Sequence, residues 1–148
     1  MNNRELEAIL QGDVAAGPIF GSVFASNQLP EEISYPTAIV INTGPNYGPG
    51  EHWVAAYFTH DGEAEYFDSY GLPPTGSMKK FVKRCAWNTT YNATQLQGLL
   101  SSTCGHYCLF YLLHRCRGVA MDDIVKMFGK NLQKNDRFVE DFIEDFID

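Results

Sequence analysis

The chain has 148 residues, 45% of them apolar and 20% charged, with a net charge of −7. Those proportions fit one globular domain over residues 1–148, and an aromatic content of 14% excludes disorder as the main state. No apolar run approaches the roughly 20 residues of a membrane helix, and the polar opening Met1-Asn2-Asn3-Arg4 does not read as a secretory signal. In chain order, Asn3 is placed to cap a short helix from Arg4 to about Leu10, with Leu6, Ile9 and Leu10 on one face. The stretch from Gly12 to Pro36 is punctuated by glycine and serine and reads as mostly irregular. Tyr35 to Asn42, centred on Ile39-Val40-Ile41, reads as a buried strand, and Thr43 to Gly50 as a loop. His52 to Thr59 and Ala64 to Asp68 read as two strands of a hairpin around His60-Asp61-Gly62. Beyond Gly71-Leu72-Pro73-Pro74, residues Met78, Phe81, Val82 and Cys85 mark one face of a helix. Ala93 to Leu96 reads as a short strand, Thr103 to about Arg117 as a buried helix, and Ala120 to Phe128 as another. Arg137 to Ile147 completes the set, with Val139, Phe142, Ile143, Phe146 and Ile147 at helical spacing. Few βαβ units and a mixture of strands and helices predict an α+β fold.

Charge is unevenly placed. Between Ser69 and Met121 there are six bases (Lys79, Lys80, Lys83, Arg84, Arg115 and Arg117) and no acid. Acids concentrate in the tail at Asp136, Glu140, Asp141, Glu144, Asp145 and Asp148. With the net charge negative, the asymmetry reads as a mixed solvated surface rather than a nucleic-acid face. The four cysteines, Cys85, Cys104, Cys108 and Cys116, read as thiols in the absence of a secretory signal. Asn88-Thr89-Thr90 and Asn92-Ala93-Thr94 match the glycosylation pattern, which carries no meaning in an intracellular protein.

Chemistry gathers around Thr103-Cys104-Gly105. If Ser101, Ser102 or Thr103 caps the following helix, Cys104 falls in its first turn, where free N–H groups and the helix dipole favour a thiolate. A buried structural cysteine fits the same segment. A thiol nucleophile needs a base. Of the four histidines, His106 points away from Cys104, about 200° round the helix, and His114 lies nearly three turns along it. His60 sits in the hairpin loop, leaving His52 at the mouth of a strand after a glycine-rich loop. A three-residue loop with Gly62 in the left-handed position pairs Thr59 with Glu63. Val54 then opposes Asp68, and His52 lies one diagonal step away on the same face, within side-chain reach. A two-residue loop would put the two on opposite faces. Asp68 also fits a strand-end carboxylate that binds loop N–H groups. Zinc is not expected: Cys104, Cys108, His114 and Cys116 point in directions that do not converge on a tetrahedron.

These residues carry a resemblance that runs nearly end to end. Glu5-Leu6-Glu7-Ala8-Ile9, Gly17-Pro18-Ile19-Phe20, Ile41-Asn42-Thr43 with Gly50-Glu51-His52-Trp53-Val54-Ala55, Tyr66-Phe67-Asp68-Ser69-Tyr70-Gly71, and Gln97-Gly98 followed by Ser101-Ser102-Thr103-Cys104-Gly105-His106-Tyr107-Cys108 occur in this order. Together they resemble the adenovirus endopeptidase (adenain) family of cysteine proteases, found in adenoviruses and virus-like transposons. The His…Asp…Cys order is also that of the similar SUMO proteases. The resemblance implies a papain-like α+β fold, a mixed β-sheet packed against helices, and a thiol protease that cleaves viral or virus-like precursors at Gly-containing sites. It implies Cys104 as nucleophile, His52 as general base and acid, Asp68 as orienting carboxylate, and Gln97, with Gln95 as a nearby competitor, as oxyanion donor. Trp53 would wall the histidine, and Gly105 would lie beside the substrate cleft.

Three features depart from the family. Many adenoviral enzymes carry Glu at the position of Asp68. The chain is shorter, with little between the helix ending near Arg117 and the tail helix. The family's activators are a disulfide-linked peptide and DNA. Cys85 is the one candidate for such a disulfide here, and it reads as a core residue on the inner face of its helix. Net charge −7 argues for weak or no nucleic-acid binding. No cofactor is required by the residues themselves. The expected partners are polypeptide substrates with Gly-Gly-like sites, with no membrane. The expected location is the host nucleus or cytoplasm, and the virion. Two other functions fit the motifs: an isopeptidase acting on ubiquitin-like modifiers, and a silent virion-associated binding module that keeps the fold.

Overall fold

The computed structural model describes residues 1–45 and 52–148. Among them the elements run α1 (Asn3–Gly12), β1 (Phe20–Ala25), β2 (Thr37–Asn42), β3 (Trp53–Phe58), β4 (Glu63–Phe67), α2 (Gly76–Cys85), β5 (Asn88–Tyr91), α3 (Cys104–Arg115), α4 (Met121–Val125) and α5 (Leu132–Ile147). The strands form one sheet in the order β1-β2-β3-β4-β5. The outer pairs are parallel and the inner two antiparallel. This is the mixed sheet with helices that the sequence predicts.

Both faces of the sheet are covered, which explains the continuous apolar run of β2. One set of side chains, Val40, Ala55 and Phe67, shares a core with α1 and α3, and α4 and α5 pack on α3 to extend it. The alternate set, Ile39, Ile41, Val54, Ala56 and Phe58, packs against Met78, Phe81, Val82 and Cys85 of α2. Burying each large side chain stabilises the fold by about 1.5–3 kcal/mol. The central helix α3 is buried on most sides, from Cys104 and Gly105 through Tyr107–Leu113. It threads the layer between the sheet and α5, so the position of its first residue is fixed by packing rather than by its own propensity.

Several expectations are corrected. The cap of α1 is Asn2, whose side chain accepts from the Glu5 N–H at 2.9 Å, not Asn3. The stretch expected to be irregular contains β1, a half-buried edge strand whose pairing with β2 shifts register between Phe20 and Val23. The short strand lies at Asn88–Tyr91 rather than Ala93–Leu96. Ala93 takes a left-handed φ of 57°, which breaks any strand there. Leu96 is buried as a loop anchor instead, its N–H donating to Ser69 O at 2.8 Å. The tail helix starts earlier, at Leu132, because Asn131 caps it through the Lys134 N–H at 3.1 Å. The helix expected over Ala120 to Phe128 is shortened to Met121–Val125. Of the loop expected over Thr43 to Gly50, residues 46–50 lie outside the described residues, as does Glu51.

Candidate active site

The hairpin carries the three-residue loop. Gly62 has φ of 86°, its N–H donates to Thr59 O at 3.0 Å, and Thr59 N–H donates to Glu63 O at 2.9 Å. Ala55 then pairs with Phe67 and Ala56 with Tyr66. In that register His52 and Asp68, just beyond the ends of β3 and β4, face each other, with His52 Nε2 2.8 Å from Asp68 Oδ1.

Asp68 is held independently of the histidine. Its Oδ1 also accepts the Tyr70 N–H at 2.8 Å. Asn92 receives the Asp68 N–H at 3.0 Å and donates to Asp68 O at 2.7 Å, pairing both backbone groups. The Tyr70 ring stacks on the His52 ring, with centroids 4.7 Å apart and planes 25° apart. The imidazole is therefore fixed at one edge by a carboxylate and over one face by an aromatic ring. Sequence reasoning missed Asn92, which sits inside a glycosylation-like triplet, and Tyr70, although it lies within the acidic motif.

Cys104 is the first residue of α3. Thr103 takes the cap position but makes no side-chain cap bond, its hydroxyl being bonded to Ser101 instead. The first-turn N–H groups thus remain available to a negative charge at Cys104. Burial pushes the Cys104 thiol up. The His52 hydrogen bond, the Trp53 N–H, the charge on His52 and the Gly105 N–H outweigh burial, and the thiol lies below its ordinary 9.0. Burial lowers His52, but Asp68 and Cys104 together raise it from 6.5 to about 9. Both directions favour a thiolate–imidazolium pair. Burial raises the other three thiols, Cys85, Cys108 and Cys116. The other histidines stand apart from this arrangement: His60 is exposed, and His114 Nδ1 donates to Phe110 O at 2.7 Å. His106 is lowered by burial, and its Nδ1 has no hydrogen-bond partner.

Gln97 is fully buried at the base of the loop leading to Cys104. Its Oε1 accepts from the Ser69 hydroxyl, and its Nε2 donates to Ser101 O at 3.0 Å. A side-chain amide has two N–H donors, so one remains. Gln95 is exposed, and its Nε2 donates to Gln97 O at 3.1 Å, so it braces the loop from outside. Trp53 donates from Nε1 to Asn3 Oδ1 at 3.0 Å. Its ring closes over the start of α3 so tightly that a Cβ on Gly105 would stand 3.1 Å from Trp53 Cε3. Among the described residues, no group of three or more His, Cys, Asp or Glu is arranged to hold a metal, and no helix is long and apolar enough to cross a membrane.

No family model matches the sequence. The cysteine protease S273R of African swine fever virus (isolate Tick/Malawi/Lil 20-1/1983) is 33% identical over 109 residues, covering 64% of this chain and 40% of that protein. The SUMO-1 cysteine protease S273R of isolate Tick/South Africa/Pretoriuskop Pr4/1996 is 32% identical over 93 residues, covering 55% of this chain and 34% of its own. The chain spans less than half the length of these curated relatives. The crystal structure of the selenomethionine form of the African swine fever virus protease pS273R superposes with a TM-score of 0.53 at 25% identity, covering 69% of this chain and 42% of that one. The fold is that of a papain-like cysteine protease. Two further structures share it. ChlaDub1 from Chlamydia trachomatis has a TM-score of 0.53 at 15% identity, covering 74% of this chain and 57% of its own. The central domain of Lpg1148 from Legionella pneumophila has a TM-score of 0.50 at 14% identity, covering 95% of each chain. The resemblance therefore stands on viral and SUMO-type cysteine proteases rather than on the adenovirus enzyme itself.

Proposed function

We propose that this chain is an adenain-type cysteine endopeptidase that cleaves viral or virus-like precursor proteins at Gly-containing sites. The observation that carries the reading is the meeting of Cys104, at the first turn of α3, with a His52 that is itself held 2.8 Å from Asp68. In this mechanism the Cys104 thiolate attacks the scissile carbonyl, and the carbonyl π pair moves onto oxygen. The oxyanion is met by the Cys104 backbone N–H and the remaining Gln97 Nε2–H, a type of donor worth about 3–4 kcal/mol where fully used. His52 then gives its proton to the leaving amine as the C–N bond breaks, leaving a thioester. Water adds to the thioester with His52 as base, and expulsion of the Cys104 thiolate releases the acid. Asp68 orients the imidazole and stabilises its charged form. Trp53 and Gly105 would line the cleft, where glycines in the substrate let its backbone come close to the sulfur. Such an enzyme would work inside the host cell, in nucleus or cytoplasm, and in the virion.

A second reading is favoured by one relative, a SUMO-1 cysteine protease. An isopeptidase acting on ubiquitin-like modifiers would use the same groups on an isopeptide whose acyl side ends in Gly-Gly. Digesting a peptide library and a Gly-Gly-terminated modifier conjugate in parallel, with sequencing of the new N-termini, separates the two. The endopeptidase reading expects discrete cuts in the peptides at Gly-containing sites. Cys104→Ala is expected to abolish them while leaving the circular dichroism spectrum unchanged. Turnover by that variant would overturn Cys104 as the nucleophile, whereas no cleavage by the wild-type chain together with no labelling of Cys104 by a thiol-reactive peptide probe would leave only a binding module.

A further inference from the structure

We infer that Asp136, on α5, is a positioning residue that sets the loop carrying Gln97 against Cys104; this rests on the cysteine-protease reading above. The loop from Leu96 to Thr103 has little packing of its own. Its tip residues Leu99 and Leu100 are 77% and 103% exposed, so its shape is decided by hydrogen bonds at its roots. Some come from the β4 side, where Ser69 O accepts both the Leu96 and Gln97 N–H groups at 2.8 and 3.1 Å. Besides the Gln95 amide, which donates to Gln97 O at 3.1 Å, others come from two consecutive residues of the C-terminal helix.

Asn135 donates from Nδ2 to Leu96 O at 3.1 Å, immediately before Gln97. It is fixed in turn by bonds to the Gly129 N–H and carbonyl at 3.0 and 2.9 Å. Asp136 takes the other side. Its carboxylate accepts the Gly98 N–H at 3.3 Å, immediately after Gln97, and the Thr103 hydroxyl at 3.3 Å, immediately before Cys104. It also accepts the Tyr107 hydroxyl at 2.7 Å, one turn further along α3. One buried carboxylate therefore ties the residue after the candidate oxyanion donor to the residue before the nucleophile. Both ends of the oxyanion site are referred to the same two oxygens. Gly98 fits this role. A Cβ there would lie 3.0 Å from Asp136 Oδ2, so the absent side chain is what lets the carboxylate reach the backbone. An aspartate in a run of tail acids is usually solvated, whereas this one is only 9% exposed and has three donors from two other segments.

The test separates positioning from general support. Asp136→Asn keeps the size but cannot accept hydrogen bonds on both sides, because one side of the amide is NH2. The oxyanion site acts only in the transition state, so kcat is expected to fall about tenfold or more with KM within about twofold. Alkylation of Cys104 by iodoacetamide does not use that site, and its rate and pH profile are expected to stay unchanged. In a Gln97→Ala background the further loss from Asp136→Asn is expected to shrink to about twofold or less, because both act on the same donor. If Asp136→Asn does not fold, Gly98→Ala, which drives a methyl against Asp136, serves for the same measurements. Unchanged kcat, an equal loss in alkylation, or independent losses that multiply in the double variant would each overturn the role. A wild-type chain with no turnover would instead overturn the protease reading, and this proposal with it.

Discussion

Cys104 and His52 move each other's protons in opposite directions, and the pH dependence of the proposed reaction follows from that. The thiol lies below 9.0 and the imidazole at about 9, so the reactive pair exists between the two. The rate profile should rise on an acid limb set by Cys104 and fall on an alkaline limb near pH 9 set by His52. The stability linkage has matching signs. The contribution of His52 is fully present below its ordinary 6.5 and is lost as pH rises through about 9. That of Cys104 is present above 9.0 and is lost as pH falls through its lowered folded value. Asp68→Asn removes the carboxylate 2.8 Å from His52 Nε2, so the alkaline limb should move to lower pH. At the same time kcat should drop at least about tenfold, since a misoriented imidazole can cost far more. Measuring kcat/KM against pH in both proteins checks this, and an alkaline limb that stays in place would refute the role given to Asp68. The juxtaposition of His52 and Asp68 was legible in the sequence because a hairpin register is fixed by its turn, and Gly62 specifies the turn. The cradle around them was not legible. The Asn92 clamp joins segments 24 residues apart, and no local pattern reports such a bond.

At the scale of elements, the sequence is readable wherever an element buries an apolar face or a continuous apolar run, and unreadable at the sheet edges. β2, β3, α2 and α3 bury such faces and lie close to where the sequence predicts them. β1 is half-buried and β5 mostly exposed, so neither shows the alternation that marks a strand. Leu96, by contrast, lent an apolar signal to a segment that is a loop. The distinction matters because the loop after β5 is what reaches back to β4 and fixes Asp68. Asn92→Ala would leave the buried Asp68 N–H without its partner, while the Asp68 carbonyl keeps the Gly71 N–H at 2.7 Å and the Thr94 carbonyl loses its 3.2 Å bond. Unsatisfied buried groups cost about 1–3 kcal/mol, which urea unfolding should register as a lower midpoint. The same variant should lose activity without losing the Cys104 thiol's accessibility to small reagents. Full activity in it would mean that the His52–Asp68 bond needs no support from the β5 loop.

At the scale of the whole molecule, the distribution of charge bears on activation. Of the six bases between Ser69 and Met121, three are already engaged. Arg84 lies 3.7 Å from Glu31 and donates to the Pro30 carbonyl at 2.8 Å, Arg115 pairs with Glu65 at 3.1 Å, and Arg117 pairs with Asp13 at 2.7 Å. Lys79, Lys80 and Lys83 on α2 remain without an ion pair among the described residues, in a chain of net charge −7. Three lysines on one helix can neutralise about three phosphates, so binding of DNA to this helix should have a slope of log K against log salt no steeper than about −3. Burial argues in the same direction against a disulfide-linked activator at Cys85. Cys85 is 6% exposed, packs with Met78, Phe81 and Val82 in the core beneath the sheet, and has its thiol raised by burial. A protonated, buried thiol is a poor partner for exchange. The reduced enzyme should therefore cleave peptide without polyanion and without an added precursor tail, and Cys85→Ser should cleave at the wild-type rate under every combination of the two. A several-hundredfold rise with DNA at physiological salt would overturn the charge argument, and loss of peptide activation in Cys85→Ser would overturn the burial argument, each independently of the other.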